Sequence, residues 1–405
     1  LLYWTKAVAL KNSTGNIFNL TTSSNQYPNE MKHSLLLPEK ILTLFIRSKF
    51  ASIITANAYI ASIALVLLVV LSSFPSYDVF LASPEKSEDW KAIFLQIKAP
   101  FIDHNHLYQH GSHAEKLAFR LIPALLLKAT HVDTVFKAML FQFASLILFY
   151  YSLTCLFIQL FQDKIKCFYY ALPICFVIAG HVYCSDIAGF FDTLALSFLL
   201  IALRYRHHTL LLIPLLLAYF TDERALIVSP LILLINLFEK GAIKNTKAIL
   251  HQTLSKPNLI LVLSWVLYGI MRIGLAYAFT LHTGTGGLTY FFEQGSKTGY
   301  TLYIGLEGFI IAFMMSVMYL LKKRYITFTL LVLSNFTLIF IVSQSVIDIN
   351  RSMSYVLLLI ILLIMMLDKF FTTNTVKTII AWTILINLLY DDFYPLFAQV
   401  YRIYF

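Results

Sequence analysis

The chain has 405 residues, 59% of them hydrophobic and only 13% charged, with a formal net charge of +10 at pH 7. Soluble domains carry about 25% charged residues, so this composition excludes an ordinary soluble globular fold. It also excludes a β-barrel, which would show alternating segments of about ten residues; here the apolar residues come in runs of about 18–25, the length a helix needs to cross roughly 30 Å of hydrocarbon.

The expected fold is therefore all-α, a polytopic transmembrane helix bundle with about eleven spans. In such a chain Lys and Arg are topology signals first, and no nucleic-acid partner is expected. Residues 1–50 read as a cytoplasmic N-terminal tail. The first methionine is Met31, and the stretch before it is polar and rich in Asn, Ser and Thr. It reads either as an extension upstream of a native start at Met31 or as a disordered tail.

Residues 51–395 read as a single transmembrane domain. The apolar runs fall at 51–73, 137–161, 167–185, 190–203, 209–221, 225–238, 258–280, 301–321, 326–346, 352–367 and 376–390. Alternate breaks carry Lys40, Arg47 and Lys49; Lys164 and Lys166; Arg204 and Arg206; Lys240, Lys244 and Lys247; Lys322, Lys323 and Arg324; Lys369 and Lys377. All of these share one side if the N-terminus is cytoplasmic. An odd count then leaves the C-terminal tail, 396–405, on the external side. The four cysteines, Cys155, Cys167, Cys175 and Cys184, lie in or beside apolar runs. They have no metal-ligand spacing and read as small buried hydrophobes.

One long external loop, 74–136, contains the stretch "DHNHLYQHGSHAEKLAFR" at 103–120. A metal site, an anion site and a solvated loop are the three readings of it. A short interfacial helix is expected over 112–128, with Ser112 as its cap and Glu115 three residues on. On that helix His113, Lys116 and Arg120 stand at i, i+3 and i+7, on one face. Arg offers a planar fork and Lys a point charge, a combination suited to phosphate; the alternative is a snorkelling amphipathic helix among headgroups. Asp103, His104 and His106 are the candidate metal ligands. Their spacing matches no standard zinc pattern, and Mg²⁺ or Mn²⁺ held with a substrate phosphate is an equal alternative.

The remaining ionisable residues cluster at the external ends of spans. Asp186 and Asp192 bracket "SDIAGFFD"; Asp222, Glu223 and Arg224 form "TDER"; Asp348 and Arg351 form "DINR". Wet turns need polar residues, so each alone is unremarkable. Gathered in one bundle, they would surround a single external cavity, with buried carboxylates of shifted pKa. Arg272 lies within the seventh apolar run and Glu307 within the eighth. A lone intramembrane charge is costly, so Arg272 reads as facing the bundle interior and pairing with a carboxylate, for which Glu307 on the adjacent helix is the candidate, or with a substrate phosphate; a snorkelling Arg near a helix end is the alternative. The chain has no Walker A, G-x-S-x-G or H-E-x-x-H motif.

One span, a long first external loop with acids and a short interfacial helix, and then about ten spans with acids and Arg at their external ends resemble the GT-C superfamily of polyprenyl-phosphate-dependent glycosyltransferases. The resemblance covers nearly all of residues 40–395 and is architectural. It implies a bacterial cytoplasmic-membrane enzyme that transfers a sugar from a lipid-linked phosphate donor at the external face. It also implies a catalytic acid in the first external loop, for which Asp103 and Asp89 are the candidates. Asp89 lies in "SEDW", farther from the first span than the family places its acids. His113, Lys116, Arg120, Arg351 and Arg272 would bind the lipid phosphate; Asp186, Asp192, Asp222, Glu223, Arg224 and Asp348 would bind sugar or acceptor. The alternatives are a transporter or flippase of an anionic substrate and a non-enzymatic membrane subunit.

Overall fold

The computed structural model describes residues 40, 43–45, 48–73, 88–101, 119–185, 191–279, 291–346 and 348–389. Every regular element among them is an α- or 3₁₀-helix. In chain order the α-helices are α1 Lys49–Thr55, α2 Ala58–Ser73, α3 Glu88–Lys98, α4 Leu121–Ala129, α5 Val135–Phe161, α6 Lys164–Ala171, α7 Ile178–Ser185, α8 Asp192–Arg204, α9 Leu212–Tyr219 and α10 Arg224–Val228. They continue with α11 Pro230–Glu239, α12 Thr246–Thr253, α13 Lys256–Phe279, α14 Thr298–Leu306, α15 Ile310–Lys322, α16 Ile326–Gln344, α17 Ile349–Met353, α18 Leu357–Phe370 and α19 Thr373–Leu389.

Five stretches are long and apolar enough to cross a membrane: Val135–Phe161, Lys256–Phe279, Gly295–Lys322, Ile326–Gln344 and Ile349–Phe370. They fit an integral membrane protein. Several of the other expected spans are shorter or broken. The 51–73 run divides at Ala56–Asn57, where the Asn57 side chain accepts from the Tyr59 N–H and the Lys164 ammonium donates to the Ala56 carbonyl. The 190–203 and 209–221 runs hold helices of 13 and 8 residues.

The core lies around α18. Every side chain from Leu357 to Leu367 is buried, as the unbroken sequence "LLLIILLIMML" requires of a helix apolar on all faces. α8 packs most extensively on α5 and then on α9. At 1.5 Å per residue, α8 is about 20 Å long and α5 about 40 Å. The reversal between α5 and α6 is set locally: Gln162 takes a left-handed conformation, and the Asp163 carboxylate accepts from the Ile165 and Lys166 N–H groups.

Two helix breaks meet, and a side chain of one satisfies the backbone of the other. The 167–185 run passes from α6 into a 3₁₀ turn, Leu172–Phe176, that contains Pro173. A helical proline removes a donor and clashes with the preceding turn. The Ile178 N–H that opens α7 then donates to Glu307 Oε1 at 2.7 Å. Glu307 itself breaks the Gly295–Lys322 stretch, with φ 43° and ψ −128°. The next N–H, on Gly308, donates to Asn387 Oδ1 at 2.7 Å. Backbone groups freed inside an apolar bundle need such partners.

Candidate functional site: a buried arginine–aspartate network

Four separate segments bring ionisable side chains to one end of the bundle. Asp192 is the first residue of α8, set at the helix start by Phe191 in a left-handed conformation. Asp222 lies in the turn between α9 and α10, and Arg224 opens α10. Asp348 caps α17 by accepting from the Arg351 N–H. Arg120 immediately precedes α4. Its strand of chain is tied to the α9 end by a backbone hydrogen bond from the Ile122 N–H to the Phe220 carbonyl.

The side chains interlock. Arg224 donates through Nε to Asp222 Oδ1 at 2.8 Å, and through Nη2 to Asp222 Oδ2 at 2.7 Å and Asp192 Oδ1 at 2.5 Å. Its Nη1 donates to Ser352 Oγ at 2.9 Å, and the guanidinium lies 5.1 Å from the Tyr355 ring centre. Arg351 donates through Nε to Asp192 Oδ2 at 2.7 Å. The Tyr355 hydroxyl donates to Asp192 Oδ1 at 3.1 Å. Arg120 Nη2 stands 2.9 Å from Asp222 Oδ2.

Both aspartates are fully buried, and all three arginines are below a tenth exposed. Burying isolated ions is very costly, and only close pairing with further hydrogen bonds offsets that cost. The network meets this condition at Asp192 and Asp222. Burial alone would raise the Asp222 carboxyl, but the guanidiniums of Arg120 and Arg224 outweigh it and hold its pKa below the ordinary carboxylate range. The two outer acids are wetter. Glu223, 3.9 Å from Arg120, has 35% of its side chain exposed, and Asp348, 3.6 Å from Arg351, has 41%. The arrangement is thus a guanidinium cluster held by inner aspartates, with two reachable carboxylates at its rim.

Seven residues singled out in the sequence meet here: Arg120, Asp192, Asp222, Glu223, Arg224, Asp348 and Arg351. Asp103, His104, His106, His113, Lys116 and Asp186 lie outside the described residues. Asp89 lies in the first turn of α3. Among the described residues no three His, Cys, Asp or Glu side chains gather as a metal-binding group.

Two expectations are corrected. Arg120 is not on the helix expected over 112–128, because α4 starts at Leu121 and Arg120 has φ −86° and ψ 64°. Pro123 suits the first turn of a helix, and residues 112–118 of the expected helix lie outside the described residues. Nor do Arg272 and Glu307 pair. Arg272 Nη1 donates to the Tyr268 hydroxyl at 2.7 Å, and the guanidinium sits 4.2 Å from the Phe119 ring centre, while Glu307 receives the Ile178 N–H. Arg272 instead braces Phe119, the neighbour of Arg120.

Sequence reading missed Ser352 and Tyr355. The signal was present: Tyr355 stands four residues after Arg351, the spacing that puts two side chains on one helix face. Tyr268, four residues before Arg272, follows the same rule. No protein-family model, curated protein or solved structure matches this chain.

Proposed function

We propose that the chain is a membrane glycosyltransferase-like enzyme that transfers a sugar from a lipid-linked phosphate donor to an acceptor at the external membrane face. The observation that supports this reading most is the convergence of Arg120, Arg224 and Arg351 around Asp192 and Asp222 at one end of an apolar bundle. Guanidiniums held rigidly by buried carboxylates are preorganised for charge that develops on a departing lipid phosphate. Asp192 and Asp222 act by positioning the arginines. Glu223 and Asp348, at the rim, are the reachable acids for a sugar or acceptor hydroxyl. A carboxylate of the first external loop, Asp103 or Asp89, is the general base of this reading.

The test is direct. The purified protein in lipid nanodiscs is supplied with a panel of short-chain polyprenyl-phosphate sugars and a hydroxylated acceptor, and release of polyprenyl phosphate is followed by mass spectrometry. Turnover that is lost in Arg120→Ala and retained in Lys297→Ala supports the reading. A folded protein that releases no lipid phosphate from any donor overturns it.

One observation favours transport of the same anionic class as the second reading. Two interrupted helices meet where Glu307 accepts from the opening N–H of α7, and paired helix breaks deep in a bundle are a transporter feature. Flux of an intact lipid-linked sugar across proteoliposomes, without its cleavage, is the result that selects this reading.

A further inference from the structure

The arginine network is closed. Arg120, Arg224 and Arg351 are each less than a tenth exposed, while the substrate of the reading above arrives dissolved in the membrane. A lipid-borne phosphate reaches such a site only if a neighbouring segment moves. The segment that touches Phe119, the neighbour of Arg120, is α13.

α13 is held unevenly along its length. In its first half Asn258 Oδ1 accepts from Asn236 Nδ2 at 2.8 Å, the Ser264 and Tyr219 hydroxyls meet at 3.1 Å, and Trp265 Nε1 donates to Ser229 Oγ at 2.7 Å. Asn258, Leu261, Ser264 and Tyr268 are buried. The helix beside it, α9, ends at Tyr219, whose ring packs on Tyr268 at 5.6 Å between centres. Beyond that point none of residues 269–279 is buried. Among the described residues, no side-chain hydrogen bond or ion pair ties them to another segment. Their contacts are apolar and aromatic. Leu275 and Ala276 pack on Phe119, the Arg272 guanidinium lies 4.2 Å from the centre of the same ring, and Phe279 stacks on Phe101 at 4.9 Å.

Two glycines stand where the anchoring stops. A Cβ on Gly269 or on Gly274 would meet nothing within 4 Å, so packing requires glycine at neither position. Glycine inside a helix costs stability through its backbone freedom, and helices bend most readily at such residues. Gly269 directly follows Tyr268, the last buried residue of α13. A hinge belongs there if 269–279 swings while the anchored half stays.

Arg272 gives the swing a chemical trigger. It lies about two turns inside the helix end, between the exposed Met271 and Ile273, and has no acidic partner among the described residues. Closed, its guanidinium rests on the Phe119 ring. A phosphate offers the same guanidinium charge-assisted hydrogen bonds, which are stronger than contact with a ring face. The phosphate therefore binds the open arrangement better, and that difference in affinity shifts the equilibrium towards it.

We propose that residues 269–279 of α13 form a lateral gate to the arginine network, hinged at Gly269, latched by Arg272 on Phe119, and opened when a lipid phosphate takes the guanidinium from that ring. Opening uncovers Phe119 and, beside it, Arg120. The inference rests on the reading that the network receives a membrane-borne phosphate, and it holds whether that lipid is cleaved or transported.

The test uses the full chain in phosphatidylcholine nanodiscs. Keto-bearing residues placed at Lys137 and Tyr277, both exposed, carry spin labels, and their separation is read by double electron–electron resonance. A second pair, at Lys137 and the exposed Leu259, reports the anchored half. The 137–277 pair shows a shorter and a longer distance, and short-chain polyprenyl phosphate raises the longer fraction by at least about threefold. The 137–259 distance stays fixed. Arg272→Gln removes the response to the lipid phosphate. Gly269→Ala with Gly274→Ala, which the open space at both positions admits, leaves only the shorter distance. A single 137–277 distance that polyprenyl phosphate does not change, or a response that Arg272→Gln leaves intact, overturns the gate. An equal response to inorganic phosphate overturns the lipid as the opening ligand and marks a soluble anion. The enzymatic reading fails separately: a gate that opens in a protein releasing no lipid phosphate overturns the reaction and leaves the gate, whereas turnover at a fixed 137–277 distance overturns the gate alone.

Discussion

Arg351 and Asp192 are 159 positions apart in the chain and meet at 2.7 Å. The pair joins the start of α8 to the helical turn before α18. The other oxygen of Asp192 receives Arg224 and the Tyr355 hydroxyl. One carboxylate thus ties three helices.

That geometry makes Asp192 the most sensitive residue of the network. Asp192→Asn keeps the shape and removes the charge that two buried guanidiniums face. Losing one partner of a buried pair costs about 3–5 kcal/mol. We expect a loss of that order in denaturant unfolding in mixed micelles. The Asp133–Lys137 pair, at 2.6 Å and well exposed, is the control; Asp133→Asn leaves the unfolding midpoint unchanged, because exposed ion pairs contribute little. A midpoint for Asp192→Asn equal to that of the native chain would mean that the network does not hold the fold.

Two glycines admit no side chain. A Cβ on Gly308 would stand 2.7 Å from Asn387 Oδ1 and from the Thr383 carbonyl oxygen, and one on Gly180 would stand 1.7 Å from the Ile174 carbonyl oxygen. Gly308→Ala should destabilise by about 1–3 kcal/mol through overpacking, and Gly180→Ala by more, because its backbone obstacle lies closer, at 1.7 Å. Gly269 has open space around it within α13. There alanine should be neutral or stabilise by up to about 1 kcal/mol, since glycine disfavours a helix interior. Melting temperatures of the three variants in one detergent separate these cases.

The helices were legible in the sequence wherever the apolar run was long and unbroken, as in α5, α13, α16 and α18. Lengths failed where a single residue interrupts the run. Pro173 and Glu307 divide runs that hydropathy alone joins. The site was legible as a set of residue types at helix ends, because a charge has few tolerable places in an apolar bundle. Its pairing was not legible. Which carboxylate meets which guanidinium depends on how the starts of α8, α10 and α17 pack together, and a hydropathy profile carries no packing distance. The candidate Arg272–Glu307 pair failed for the same reason: aromatic and backbone partners satisfied both residues first.

The end of the bundle opposite the arginine network has its own acid. Burial alone would raise the Glu239 carboxyl, but the two-pronged contact with Arg206, Nε to Oε2 at 2.9 Å and Nη2 to Oε1 at 2.7 Å, outweighs it and sets its pKa below the ordinary glutamate value. An acid whose folded pKa is depressed contributes stability above its unfolded value, about 4.3, and loses it as the pH falls through the lower folded value. The melting-temperature deficit of Glu239→Gln should therefore be constant from about pH 6 to 8 and shrink as the pH drops below about 4. A deficit that persists unchanged in acid would show that Glu239 acts by packing rather than by charge.

Arg272 supplies the sharpest check on the interior. Its guanidinium lies on the Phe119 ring and donates to Tyr268, while Glu307 accepts from Ile178. Removing Arg272 and Phe119 together should show a coupling of about 0.5–2 kcal/mol, the range of a partly desolvated cation–π contact. Removing Arg272 and Glu307 together should be additive within about 0.5 kcal/mol, as for sites that share no partner. Double-mutant cycles on unfolding free energy, with Arg272→Gln, Phe119→Leu and Glu307→Gln, measure both. A strong coupling between Arg272 and Glu307 would restore the pair that the side-chain geometry excludes, and Phe119 would lose its role as the brace behind Arg120.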